Sequence, residues 1–159
     1  MSDSPTVTRN THNTLTTLLV PLKDRNLLLP NVAVAEIAQC HALEVLPHAP
    51  QWLLGLFSWR DQKIPLVCFE ALSSGLQVDF DKAQVLVMNA IGDFSNRQFF
   101  ALLTQGIPRS VKVDQSLKAA QVSLSDYELE AVEVADQVAK IPDLLSIEQK
   151  LAALYGASI

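Results

Sequence analysis

The sequence predicts a mainly β protein made of small barrels with one C-terminal helix. Three observations predict it. Apolar residues fall in short runs, such as LLVPL and FFALL, cut by turn residues at close spacing. Several runs alternate apolar and polar residues with the period of a half-buried strand. Only the last segment carries helical spacing. About ten strands this short do not readily make one large sandwich, so small barrels are favoured.

The elements follow in order. Residues 1–13, MSDSPTVTRNTHN, are polar and read as a flexible tail, which leaves 14–159 as a single domain. Leu15–Leu22 is a strand, Lys23-Asp24-Arg25-Asn26 a turn, and Leu27–Pro30 a second strand. Val34–Ile37 fits one helical turn or the next strand. Leu43–Leu46 is a short strand ended by Pro47. Leu54–Phe57 and Ile64–Phe69 flank a polar turn, and Glu70–Gly75 is a connection. Ala83–Asn89 and Gln98–Gln105 surround the turn GDFSN, and Ile107–Val113 follows. A polar loop runs to about Glu128. Leu129–Val134 and Val138–Ile141 alternate as strands. Pro142–Tyr155 is the helix, started by Pro142 or Ser146 and ended by Gly156. No internal sequence repeat is detectable.

Composition excludes several classes. Of 159 residues, 49% are apolar and only 18% charged, which permits a sizeable core and leaves surface for partner contacts. The net charge of −5 and the scattered 12 basic residues argue against a nucleic-acid partner, which needs clustered Lys and Arg. No apolar run approaches the roughly 20 residues of a membrane span, so direct membrane insertion is not expected. No secretion signal is legible, and Cys40 and Cys68 read as reduced, buried thiols of a cytoplasmic protein.

Chemistry is sparse. Cys40-His41 and His48 are the only concentration of metal-ligand types, and adjacent strand residues face opposite ways, so neither a metal site nor a Cys/His nucleophile is expected. The five glycines form no phosphate cradle. Asp79 and Asp81 read as a solvated acidic loop. No cofactor and no enzymatic activity are expected.

What remains is a binding constellation. Ser58-Trp59-Arg60-Asp61 forms a turn between two apolar strands, an unusual place for a tryptophan. Glu36 offers a carboxylate that Arg60 can meet with its planar fork. Either the two pair and fix the turn, or they are unrelated surface charges. Trp59 either lids the core or meets a partner, since aromatic and Arg side chains are enriched at binding hot spots.

The succession VAEI, then LPHAPQWLLGLFSWRDQKIPLV, resembles the CheW family of chemotaxis coupling proteins, which reads V-x-E-I, a Pro-containing link, then G-V/I-x-N-L-R-G-x-x-I-P-V. Val34, Glu36 and Ile37 match the first element, and Gly55, Arg60, Ile64 and Pro65 the second. FALLTQGIPRSVKV and IPDLLSIEQKL resemble later parts of the family, with Asp143 at its aspartate. The resemblance implies two packed five-stranded SH3-like β-barrels with a C-terminal helix. It also implies a non-catalytic adaptor. Its partners would be the regulatory domain of a CheA-type histidine kinase and the cytoplasmic tip of methyl-accepting chemoreceptors. The nominated partner-binding residues are Val34, Glu36, Gly55, Trp59, Arg60, Asp61 and Pro65.

The family's Asn-Leu-Arg-Gly is Ser58-Trp59-Arg60-Asp61 here, and its Asp-Leu after Pro-Val is Cys68-Phe69. These departures resemble the divergent branch, ChpC and PilI among it, of type IV pilus and twitching systems. The alternative is a stand-alone β-barrel interaction module outside any kinase array.

Overall fold

The computed structural model describes residues 13–41, 43–79, 84–92 and 98–156. Most of the expected N-terminal tail, Asp81 and most of the GDFSN turn lie outside the described residues. The strands are β1 (Leu15–Pro21), β2 (Asn26–Pro30), β3 (Val34–Gln39), β4 (Leu43–Glu44), β5 (Leu53–Trp59) and β6 (Gln62–Val67), followed by α1 (Phe69–Ser74). The second half holds β7 (Gln84–Asn89), β8 (Phe99–Thr104), β9 (Arg109–Val113), β10 (Lys118–Ala119), β11 (Glu128–Val134), β12 (Gln137–Pro142) and α2 (Leu144–Gly156). The mainly β class and the C-terminal helix stand as expected.

Two sheets form, β10-β11-β12-β2-β1-β9 in the first lobe and β3-β7-β8-β6-β5-β4 in the second. Each has five longer strands and one of two residues, which matches the five-stranded lobes expected. In each sheet the two edge strands are consecutive in the chain: residues 114–117 carry β9 into β10, and residues 40–42 carry β3 into β4. That corner curls the sheet on itself, so each lobe is a small barrel with its own core.

The two orders are the same order. Each lobe has one parallel pair, β12 with β2 and β6 with β8. A constant offset of 75 residues relates Val34 to Arg109, Leu43 to Lys118, Leu53 to Glu128, Gln62 to Gln137 and Phe69 to Leu144. The chain is therefore a repeat of six strands and a helix in which the leading hairpins are exchanged. Hairpin β1–β2 completes the barrel of β9–β12, and β7–β8 completes that of β3–β6. From Val34 to Gly75 only Leu54, Asp61 and Gln62 meet an identical residue at that offset, in Leu129, Asp136 and Gln137, so the repeat is invisible in sequence.

Three apolar clusters result. Leu19, Leu28, Val132, Val134 and Ala139 fill the first barrel, and Phe57, Trp59, Ile64, Leu66, Val85, Val87, Ala101 and Leu103 fill the second. A third, containing Leu18, Val20, Leu27, Leu29, Leu86, Met88, Phe100, Leu102 and Ile147, is the seam between them. Alternate residues of β1 and β2 thus face a barrel interior or the seam. That is why these strands read as unbroken leucine runs rather than alternating ones.

The structure corrects several readings. Val34–Gln39 is a strand, preceded by a 3-10 turn over Asn31–Ala33. The segment after Cys68 is a helix, closed by Gly75 in the left-handed conformation (φ 74°), rather than a connection. The polar loop before Glu128 contains β10. Cys40 is half-buried, because it sits past the end of β3; Cys68 is buried as expected. Neither Pro142 nor Ser146 starts α2. Asp143 does, its Oδ1 accepting the Ser146 backbone N–H at 3.2 Å.

Candidate functional site

The hairpin β5–β6 turns through Arg60 and Asp61, with Trp59 opposite Gln62. Both central residues have positive φ, 48° and 62°, as a two-residue hairpin twisted like its strands demands. Asp tolerates this conformation; Arg60 holds it at a cost of order 1 kcal/mol. The turn thereby aims the Arg60 side chain back over the barrel.

There it meets Glu36 of β3. Arg60 Nη2 donates to Glu36 Oε1 at 3.0 Å, and the indole Nε1 of Trp59 donates to the same oxygen at 3.2 Å. The Arg60 guanidinium lies 4.8 Å from the Trp59 ring centroid. Trp59 packs edge-on to Phe99, centroids 4.8 Å apart. Of the two sequence readings the pairing is the one present, and one carboxylate ties the tip of the β5–β6 hairpin to β3.

The two halves of the SWRD question separate here. Trp59 is only 7% exposed and belongs to the second barrel's core, so it is the lid, and it offers no ring face to a partner. Arg60 is exposed at 69% of its side chain and Glu36 at 38%. Asp61 is exposed as well. The surface presented is therefore Glu36, Arg60 and Asp61, flanked by the exposed Glu44–Lys63 ion pair.

The other nominated residues do not reach this surface. A Cβ on Gly55 would stand 2.4 Å from the Glu44 carbonyl oxygen, so Gly55 permits the close approach of β4 to β5 and the bulge in β5. Pro65 is buried in β6, at the position before parallel pairing to β8 begins with Leu66. Val34 is half-buried and packs against the seam. These three shape the lobe that carries the hairpin.

Sequence reading missed the charged cluster at the seam. Arg25 donates to Glu128 Oε2 at 2.8 Å and to Ser73 Oγ at 2.7 Å, and binds Asp24 with Nε and Nη2, both at 2.9 Å. Lys140 Nζ donates to Glu128 Oε1 at 2.6 Å. The Glu128 side chain is 0% exposed. Burial alone would raise its pKa, but Lys140, the Ser125 N–H and Arg25 outweigh that and hold the carboxyl below its ordinary value. Asp24 is likewise held low by Arg25. Burial pushes the Cys68 thiol up to about 11. The sequence signal for this cluster was four separate charges with no common spacing.

Among the described residues, no group of three or more His, Cys, Asp or Glu side chains is placed to hold a metal ion, and no helix is long and apolar enough to cross a membrane.

No curated protein matches the chain in sequence. Among solved structures, the scaffolding protein TtCheW from Thermoanaerobacter tengcongensis superposes with a TM-score of 0.69 at 15% identity, over 82% of this chain and 84% of that one. At that identity the likeness speaks for the fold. The family model described as the CheW-like domain matches residues 16–151, which include both lobes and most of α2. With the exchanged hairpins, the paired barrels and the Glu36–Arg60 link all inside that span, the chain belongs to the CheW-like domain family.

Proposed function

We propose that this protein is a non-catalytic adaptor that couples methyl-accepting chemoreceptors to a CheA-type histidine kinase through the kinase's regulatory domain. It acts on the cytoplasmic side, at receptor arrays it reaches through its partners. The observation that carries the reading is the built hairpin: an arginine held over the second barrel by Glu36 and Trp59, with its side chain left 69% exposed. A fixed, exposed Arg spends little ordering entropy on binding and suits a carboxylate-bearing partner surface. Family membership and the two-barrel scaffold support it.

The finer reading places the protein in the type IV pilus branch. It rests on the Ser58-Trp59-Arg60-Asp61 turn, whose Trp59 and Asp61 replace the smaller family residues. A stand-alone interaction module is the competing reading.

The test is a titration of the protein against isolated kinase regulatory domains from the chemotaxis and pilus systems of the same cell. Arg60→Ala is expected to weaken the productive pair by about tenfold or more. Absence of binding to every kinase domain would favour the stand-alone module. Binding unchanged by Arg60→Ala would move the contact away from the hairpin.

A further inference from the structure

Each helix enters from the last strand of one lobe and grips the exchanged hairpin that completes the other. α1 follows β6 of the second lobe, and its Glu70 accepts the Lys23 N–H in the β1–β2 turn at 2.8 Å. α2 follows β12 of the first lobe, and its Glu148 accepts the Ile91 and Gly92 N–H groups just past β7, both at 2.8 Å. Glu70 is fully buried and Glu148 only 7% exposed. The 75-residue offset equates Glu70 with Leu145 and Glu148 with Ser73, so the two clasps are built separately rather than copied by the repeat.

The clasps differ in what lies beyond them. The β1–β2 turn is held a second time by the Arg25 cluster. The end of β7 leads instead to the Glu36–Arg60 link. β7 pairs with β3, Val34 opposite Met88 and Glu36 opposite Val87, with a bulge between the two pairs. A bulge bends its strand and re-aims a side chain, here the Glu36 carboxylate that holds Arg60 and Trp59. Asn89 Nδ2 donates to the Val32 carbonyl at 3.1 Å and pins the 3-10 turn that feeds β3 to the same end of β7. α2 itself adds no strand to either sheet. It is held by the apolar row of Leu144, Ile147, Leu151 and Leu154 against the seam, by the Asp143 N–H on the Tyr127 carbonyl, and by Glu148. It can leave the seam without breaking a ladder between strands, as segments that open locally do.

We infer that α2 is a strap that sets the pose of the Glu36–Arg60 hairpin from across the seam. Docked, it fixes the end of β7, and β7 fixes the bulge that aims Glu36. Undocked, it loosens that bulge, and Arg60 and Trp59 lose their common acceptor together. The two-state element is the helix, and the coupling runs through contiguous backbone pairs. That the hairpin meets a partner rests on the proposed function; the coupling does not.

The experiment follows the full isotope-labelled chain by NMR. The Trp59 indole N–H signal reports its bond to Glu36, and Glu36→Ala supplies the released position of that signal. In Glu148→Gln, amide hydrogen exchange at Ile91 and Gly92 is expected to rise by about tenfold or more. The Trp59 signal is expected to move toward its released position. Glu70→Gln, the matched loss of a buried carboxylate, is expected to leave it in place. Val132 and Ala139 amides in the first barrel report global opening, and exchange at Ile91 and Gly92 is compared with theirs. Should Glu148→Gln fail to fold by circular dichroism, Asp143→Ala, which loosens α2 at its first turn, is expected to give the same two changes. A Trp59 signal unmoved while Ile91 and Gly92 lose protection overturns the proposal. So does unchanged protection at Ile91 and Gly92, or an equal movement in Glu70→Gln. No kinase domain enters the measurement, so a failure of partner binding and a failure of the strap are read separately.

Discussion

Glu36 Oε1 accepts both from Arg60 and from the Trp59 indole, so the two ends of this link are not equivalent. Removing Arg60 takes away a largely exposed ion pair, which is worth under about 1 kcal/mol. Removing Glu36 strands a buried indole N–H, which costs roughly 1–3 kcal/mol. Urea denaturation should therefore show Glu36→Ala clearly less stable than Arg60→Ala, with Glu36→Gln recovering most of the loss because its amide oxygen still accepts. Equal losses in the two alanine variants would show that the indole does not rely on Glu36. Gly55 is the other sensitive residue. Its φ of 150° and the clash an added Cβ would make with the Glu44 carbonyl predict that Gly55→Ala costs roughly 2–4 kcal/mol. The cysteines should separate in a thiol-labelling time course. Half-buried Cys40 reacts first, while Cys68, 1% exposed with its thiol near 11, waits for opening of the fold.

At the scale of elements, the helices differ in how they begin. α1 has Cys68 at its N-cap and no side-chain cap; it persists because Phe69 and Glu70 are buried, Glu70 accepting the Lys23 N–H at 2.8 Å. α2 has Asp143, which accepts from Ser146 twice, through the backbone N–H and through Oγ at 2.7 Å. Asp143→Ala should lower stability by about 1 kcal/mol, and Asp143→Asn or Ser should restore much of it. A thermal melt of the three variants checks this. One turn into α2, Glu148 clamps the Ile91 and Gly92 N–H groups, both at 2.8 Å, and so fixes the end of β7 against the helix.

For the whole molecule, the Arg25–Glu128–Lys140 cluster stands at one corner of the seam and joins the β1–β2 turn and the β11–β12 hairpin to Ser73 of α1. Glu128 and Asp24 have folded pKa values below their ordinary ones. Groups so depressed contribute stability that is fully present above the ordinary carboxylate value and is lost as pH falls through the folded one. The urea midpoint should therefore be flat near neutrality and decline as pH falls below about 4.5, the ordinary Glu value. Glu128→Gln should flatten much of that decline. It should also cost roughly 3–5 kcal/mol at neutral pH, because Arg25 and Lys140 are left without their shared anion. An unchanged acid profile in Glu128→Gln would place the sensitivity elsewhere.

What the sequence by itself determined was local. Alternation and turn residues located nearly every long strand, because those signals depend on neighbours a few residues apart. The motif spacing from Val34 to Pro65 marked the family and offered Glu36 and Arg60 as a possible pair, which the structure then made across 24 residues. The tertiary structure decided what depends on distant partners. Trp59 is a lid rather than a contact because Phe99, 40 positions later, arrives beside it on an exchanged hairpin. Arg25, Glu128 and Lys140 form one cluster only because β12 runs parallel to β2. The helix after Cys68 lacks a side-chain N-cap and rests on burial of Phe69 and Glu70 against the other lobe. The internal repeat stayed hidden for the same reason: each barrel needs only apolar volume at its inward positions, and many side chains supply that. Two copies of one architecture could therefore diverge until one held the Trp59–Phe99 pair and the other an aliphatic core of valine, leucine and alanine.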